Sequence, residues 1–179
     1  MSSRFEKTGS ETVYEGGFFT VRKDTFRHED GEEVSRDIVS HPGAVGVVVL
    51  DGEDLWFVRQ PREAIGSPDF LEIPAGKLDE EGESPLETGK RELAEEIGKR
   101  AEHWEPLGSF FTSAGFATEE IHLFLATGLS DVDRPEVEED ERIDIEVRPL
   151  ADLDAILAET KDSKTLIGLY RLKDRLGAR

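Results

Sequence analysis

No cysteine occurs among the 179 residues, which removes disulfides and thiolate metal ligands from consideration. No apolar run approaches the roughly 18 residues that a membrane-spanning helix needs. The first residues, MSSRFEKTGSE, lack the apolar segment of a signal peptide, so the cytoplasm is the expected location. Cationic residues are outnumbered: 22 Lys and Arg stand against 41 Asp and Glu, a formal net charge of −19. Such a field opposes nonspecific attraction to DNA, RNA or an anionic bilayer, so neither nucleic acid nor membrane is an expected partner. Internal repeats and low-complexity linkers are also missing, and the length fits one globular domain with a sizeable core.

What the sequence does have is acid at helical spacing in the segment from Gly76 to Gly98, GKLDEEGESPLETGKRELAEEIG. Ser84, Pro85 and Glu87 read as an N-cap, a first-turn proline and a capping-box glutamate, and Gly98 reads as a stop. Together they predict a helix over Pro85 to Ile97. On it Glu92 and Glu96 share a face, Glu95 sits one step round, and Leu86, Leu93 and Ile97 form an apolar stripe. Carboxylates this close repel one another unless a cation lies between them, and oxygen donors suit Mg²⁺ or Mn²⁺ better than zinc. The plainer reading is an acidic helix face bathed in solvent, and spacing alone leaves both open. Gly89 inside the helix costs roughly 1 kcal/mol relative to alanine, so it either marks a close packing approach or is merely tolerated.

Alternating or continuous apolar runs predict strands near Glu11 to Tyr14, Phe18 to Phe26, Glu33 to His41, Ala44 to Leu50, Leu55 to Arg59, Trp104 to Phe111, Ile121 to Ala126 and Ile143 to Val147. Further helices fit Leu150 to Ala158 and Lys164 to Leu176, the latter with Leu166, Leu169, Tyr170, Leu172 and Leu176 on one side. Strands on both sides of the acidic helix, with helices at the end, make an α+β architecture. His28, His41, His103 and His122 show no metal-ligand spacing.

Glu83, seven intervening residues and then Arg91-Glu92-Leu93-Ala94-Glu95-Glu96-Ile97-Gly98 resemble the signature of the Nudix hydrolases. In that family a glycine, a glutamate and R-E-apolar-x-E-E-x-G form a loop-helix-loop that binds Mg²⁺ against a diphosphate. Two positions depart from the pattern. Six residues rather than five separate Gly76 from Glu83, so the loop Lys77 to Gly82 must bulge upstream of the cap; Lys99 stands where an apolar residue is usual. The resemblance implies a Nudix α/β/α sandwich with a mixed central sheet over residues 43–179, and an N-terminal β-strand extension over 1–42.

The order Gly17-Phe18-Phe19, Val34 to Asp37 (VSRD), Val58 to Arg62 (VRQPR), Glu72 to Asp79 (EIPAGKLD) and Thr112 to Glu120 (TSAGFATEE) is similar to the ADP-ribose pyrophosphatases within that family. This likeness implies Mg²⁺-dependent hydrolysis of ADP-ribose to AMP and ribose 5-phosphate. It puts the metal ligands at the carbonyl of Ala75 and at Glu92, Glu95, Glu96 and Glu141, and the general base at Glu139. The run Glu136 to Glu141 taken by itself is a solvated charge run. Arg91 would pair with Glu83 to orient the loop. Substrate contacts fall to Phe18 or Phe19 on adenine, Arg36 and Arg62 on phosphate or ribose, and Ser113, Gly115 and Glu119 on the terminal ribose. Relatives with this extension form dimers in which it crosses to the partner, so a homodimer is expected. The alternatives are another nucleoside diphosphate sugar as substrate, GDP-mannose for example, or a Nudix-like nucleotide-binding domain without turnover.

Overall fold

Residues 4–134 and 142–177 are described in the computed structural model, and they divide into two units. The first comprises Met1–Gly43 with Phe111–Glu120, and the second Ala44–Phe110 with Ile121–Arg179.

In the first unit, β1 (Phe5–Glu15), β2 (Thr20–His28) and β3 (Glu33–Ser40) form an antiparallel sheet in the order β1-β2-β3. β1 is far longer than the sequence signal at Glu11 to Tyr14, and it is solvent-exposed along nearly all its length. Its few apolar residues, including Phe5, Val13 and Tyr14, are themselves exposed, so no alternation marks its start. β2 begins only at Thr20. Phe18 and Phe19 therefore lie in a turn, closed by the Gly16 N–H on the Phe19 carbonyl at 2.9 Å, and not in a strand as expected. Asp24 is the one buried acid of this sheet, held by Lys7 at 2.8 Å and by the hydroxyl of Ser10.

The second unit is built on β4 (Ala44–Asp51), the centre of a seven-stranded mixed sheet. Beside it run β5 (Asp54–Arg62), β8 (Lys99–Phe111), β9 (Glu120–Asp131) and β10 (Asp144–Pro149), in the order β10-β5-β4-β9-β8. Along this path β4 and β9 pair in parallel, whereas β5 pairs antiparallel with both β10 and β4. Two short strands escaped the sequence reading: β6 (Ser67–Glu72), which pairs with β5, and β7 (Ala75–Lys77), which pairs with β4. β6 carries Pro68 and Asp69, residues depleted in strands and tolerated where no ladder N–H is required, and β7 is too short to show a period.

Helix α1 (Pro85–Ile97) lies on one face of β4, and α2 (Leu153–Glu159) and α3 (Ser163–Gly177) belong to the other. The period of two along β4 sorts its valines. Val45, Val47 and Val49 pack with Leu93, Ile97 and Val58, while Val48 packs with Phe57, Ile73, Leu123, Leu169 and Leu172. Full burial of each such side chain contributes roughly 1.5–3 kcal/mol. Glycines set how near the helices come: a Cβ on Gly89 of α1 would lie 3.3 Å from Val45, and one on Gly168 of α3 only 2.7 Å from Val48. Gly89 thus marks a close packing approach. The apolar stripe of α1 is narrower than expected, because Leu86 is only half-buried, and in α3 Tyr170 faces outward at 58% exposure. Among the described residues no helix is long and apolar enough to cross a membrane.

Candidate functional site

The acidic helix begins and ends where its sequence dictates. The Ser84 side chain accepts from the Glu87 N–H, Glu87 returns the bond to the Ser84 N–H at 2.8 Å, and Gly98 closes the C-terminus at φ +65°. The extra loop residue upstream is absorbed in a turn in which the Glu83 N–H meets the Glu80 carbonyl at 3.3 Å and Gly82 adopts φ +89°. Lys99, the other departure from the signature, opens β8 with its ammonium 4.6 Å from the centre of the Trp56 ring and paired to Asp131.

Strand β7 brings the backbone to this helix. The register pairs Ala75 with Gly46, and the Val47 N–H bonds the Pro74 carbonyl at 2.8 Å. In an antiparallel ladder every second residue turns both its N–H and its C=O away from the partner strand, and Ala75 holds that position. Its N–H is taken by Glu96 Oε2 at 3.0 Å. Gly76 follows with Glu92 folded onto it, so closely that a Cβ at Gly76 would lie 1.9 Å from Glu92 Oε1. Glu92 and Glu96, four apart on the helix, therefore both touch the Ala75-Gly76 dipeptide. Gly76→Ala has no room without displacing Glu92 and is expected to lower kcat by roughly tenfold or more, since small misplacements at a reacting centre are costly. Circular dichroism and thermal unfolding on the same sample check that the fold survives.

Arg91 lies among the remaining acids. Its Nη1 donates to Glu92 Oε1 and to Glu95 Oε2, both at 2.9 Å, and its Nε reaches Glu83 Oε2 at 3.3 Å. Desolvation works against its charge, but the attraction of Glu92 and Glu95 more than offsets it and holds the guanidinium above its ordinary pKa. The Glu83–Arg91 pair is thus present, and Arg91 braces two of the expected ligands as well. Burial pushes Glu96 up to about 8, with the nearby Glu92 charge adding to it and the Ala75 N–H opposing.

Arg62 lies at the end of β5, where its Nε and Nη2 grip the carboxylate of Glu72. Glu72 is 1% exposed and also receives the ammonium of Lys164. Burial alone would raise its pKa; the hydrogen bond from Arg62 and the charge of Lys164 hold it below the usual value. The sequence reading missed both Glu72 and Lys164. An acid in a strand and a lysine in a helix carry no local mark of burial.

The other expected contacts belong to the first unit. Arg36 and Gly115 line one hollow of about 280 Å³ together with Phe5, Phe26, His28 and Ile38. Phe18 is 54% exposed and packs edge-on against Phe19 and His41, with ring centres 5.2 and 5.6 Å apart. Ser113 closes a turn through its carbonyl, which accepts from Ala117 at 2.8 Å, and Glu119 accepts from the Thr112 hydroxyl at 2.7 Å. His41 Nδ1 accepts from the Gly43 N–H at 3.1 Å, and Glu119 approaches the same nitrogen at 3.7 Å. Glu139 and Glu141 lie outside the described residues.

The NUDIX domain model matches residues 40–169, nearly three-quarters of the chain. The chain belongs to the Nudix family. An ADP-ribose pyrophosphatase of Mycobacterium tuberculosis is 41% identical over 138 residues, covering 76% of this chain and 66% of that protein. The ADP-ribose pyrophosphatase of Bacillus subtilis is 37% identical, with 99% of both chains aligned. A methanol dehydrogenase activator of Bacillus methanolicus is 39% identical over 94% of this chain and 92% of its own. A crystal structure described as an ADP compounds hydrolase superposes with a TM-score of 0.85 at 21% identity, over 98% of this chain and 96% of that one, which bears out the α+β sandwich.

Nudix hydrolases work with divalent cations, and the donor set here fits one. Glu92 and Glu96 meet at the segment whose Ala75 carbonyl faces away from the sheet, and all the donors are hard oxygens. Among the described residues no three such side chains are already gathered as a closed metal cluster, and Arg91 occupies the space between Glu92 and Glu95. The metal-free Nudix fold should accordingly respond to pH through Glu96. Its folded pKa of about 8 lies above the ordinary 4.5, so its neutral form adds stability below pH 4.5. That contribution is lost as the pH rises toward 8, a change on the order of a few kcal/mol. In EDTA the unfolding temperature should fall between about pH 6 and pH 8. Glu96→Gln should flatten that slope, and an unchanged slope in the variant would count against the assignment.

Proposed function

We propose that this Nudix protein hydrolyses the diphosphate of ADP-ribose to AMP and ribose 5-phosphate, using Mg²⁺, with Mn²⁺ as a substitute. The observation that carries the reading is the convergence of Glu92 and Glu96 on Ala75-Gly76, beside Arg91. The relatives named ADP-ribose pyrophosphatases support the choice of substrate. A divalent cation held by Glu92, Glu95, Glu96, Glu141 and the Ala75 carbonyl would offset phosphate charge and acidify the attacking water.

The chain's own groups do the rest. Water adds to one phosphorus, the bridging P–O bond breaks, and the leaving phosphate takes the electron pair. Glu139 is assigned to accept the proton of that water. Arg91 orients Glu92 and Glu95, and Arg62 offers a guanidinium edge to a phosphate oxygen. For the organic parts of the substrate, Phe18 or Phe19 stacks on adenine, Arg36 contacts phosphate or ribose, and Ser113, Gly115 and Glu119 hold the terminal ribose at the other end of the diphosphate. The extension 1–42 is assigned as the element that pairs two copies and supplies the adenine side. Its long, exposed β1 fits that role, and solution mass by light scattering tests it. The cytoplasm is the assigned location.

Hydrolysis of ADP-ribose, GDP-mannose, NADH and a nucleoside triphosphate, compared in one phosphatase-coupled assay, tests the substrate. ADP-ribose is expected to lead in kcat/KM. A tenfold advantage for GDP-mannose or the triphosphate would leave the family standing and remove the substrate, and no turnover of any would favour a binding domain. Alanine at Phe18 should raise KM for ADP-ribose more than it lowers kcat, because adenine lies away from the reacting phosphorus.

A further inference from the structure

The first turn of α3 lies far along the chain from the acidic helix, yet it is tied to the strand end that leads into Ala75. Asp162 caps the turn: its carbonyl accepts from the Leu166 N–H at 3.0 Å, and its carboxylate accepts the Thr165 N–H at 2.9 Å and hydroxyl at 2.6 Å. That hydroxyl accepts in turn from the Ile73 N–H at 2.9 Å. Between these ties sits Lys164, its side chain 11% exposed, paired with Asp162 at 3.2 Å and with Glu72.

The buried Glu72 meets two cations, Arg62 and Lys164, the second of them shared with Asp162. Holding Glu72, Lys164 and Asp162 together largely out of water is costly, and packed apolar side chains would serve stability as well or better. What the second cation changes is the first. Arg62 reaches Glu72 through Nε and Nη2, the latter at 2.8 Å, while its Nη1 has no hydrogen-bond partner among the described residues and its side chain is 43% exposed. With Lys164 sharing the carboxylate, Glu72 cannot turn away from Arg62, and its negative charge is not spent on Arg62 alone.

We propose that Lys164 is a positioning residue for Arg62: it fixes Glu72 and shares its charge, so that Arg62 presents an oriented, still cationic edge to a substrate phosphate. This rests on the reading of Arg62 as a phosphate contact, and the experiment separates the two. Steady-state kinetics are run on the full chain with Mg²⁺ and the diphosphate that the substrate comparison selects. Arg62→Ala is expected to raise KM roughly tenfold or more, the scale of a charge-assisted hydrogen bond. Lys164→Met should raise KM at least about threefold with little change in kcat, and should add nothing in the Arg62→Ala background. An unchanged KM in Arg62→Ala removes the phosphate role of Arg62 and the proposal with it. A raised KM there with an unchanged KM in Lys164→Met overturns the positioning role alone, as does a Lys164→Met loss confined to kcat or to unfolding temperature. Should Lys164→Met fail to fold, Asp162→Asn decides, because it loosens Lys164 from the far side while an asparagine still caps the helix. A raised KM in that variant supports the proposal and a wild-type KM overturns it.

Discussion

Glu96→Gln is expected to lower kcat by about 10²- to 10³-fold, the scale on which loss of a main electrostatic group acts. Glutamine keeps the size of the side chain and can still accept from the Ala75 N–H, so the local packing should hold. What disappears is the charge that a divalent cation needs as a ligand. The same activity should vanish in EDTA and return with Mg²⁺ or Mn²⁺ in the wild type, while the variant should recover little at any metal concentration. Steady-state rates across a metal titration, with thermal unfolding as a control for folding, read both effects. Full activity in a metal-free preparation would defeat the metal assignment outright.

Glu139→Gln should cost roughly 10²- to 10⁴-fold in kcat with metal and substrate binding nearly intact, as expected when a general base is removed. The acids on and just before helix α1 are already engaged. Glu83, Glu92 and Glu95 are bonded to Arg91, and Glu96 to the backbone of Ala75, so each of these four carboxylates already serves an orienting bond. The acidic run Glu136 to Glu141 holds the acids that the family resemblance singles out. Single-turnover rates and substrate affinity measured on Glu139→Gln and Glu141→Gln decide the register. An equal or larger loss confined to Glu141→Gln would move the base by two residues.

Local chemistry determined much of this protein before any contact is considered. Ser84, Pro85, Glu87 and Gly98 act within one turn of where they stand, so helix α1 keeps its sequence boundaries and the spacing of Glu92, Glu95 and Glu96 carries directly into space. The continuous apolar run Ala44 to Leu50 likewise foretold strand β4. β6 and β7 were illegible because they form by pairing with β5 and β4 and have no strong period or propensity of their own. Leu86 and Tyr170 were misplaced because helical spacing fixes only direction, and burial depends on whether a neighbour arrives to cover the face. The tertiary structure alone decided that Gly76 must be bare for Glu92, that burial raises the pKa of Glu96, and that Lys164 meets Glu72 from 92 residues away. Each depends on distant segments brought together by the sheet and its covering helices, and on the loss of water between them, which no local pattern encodes.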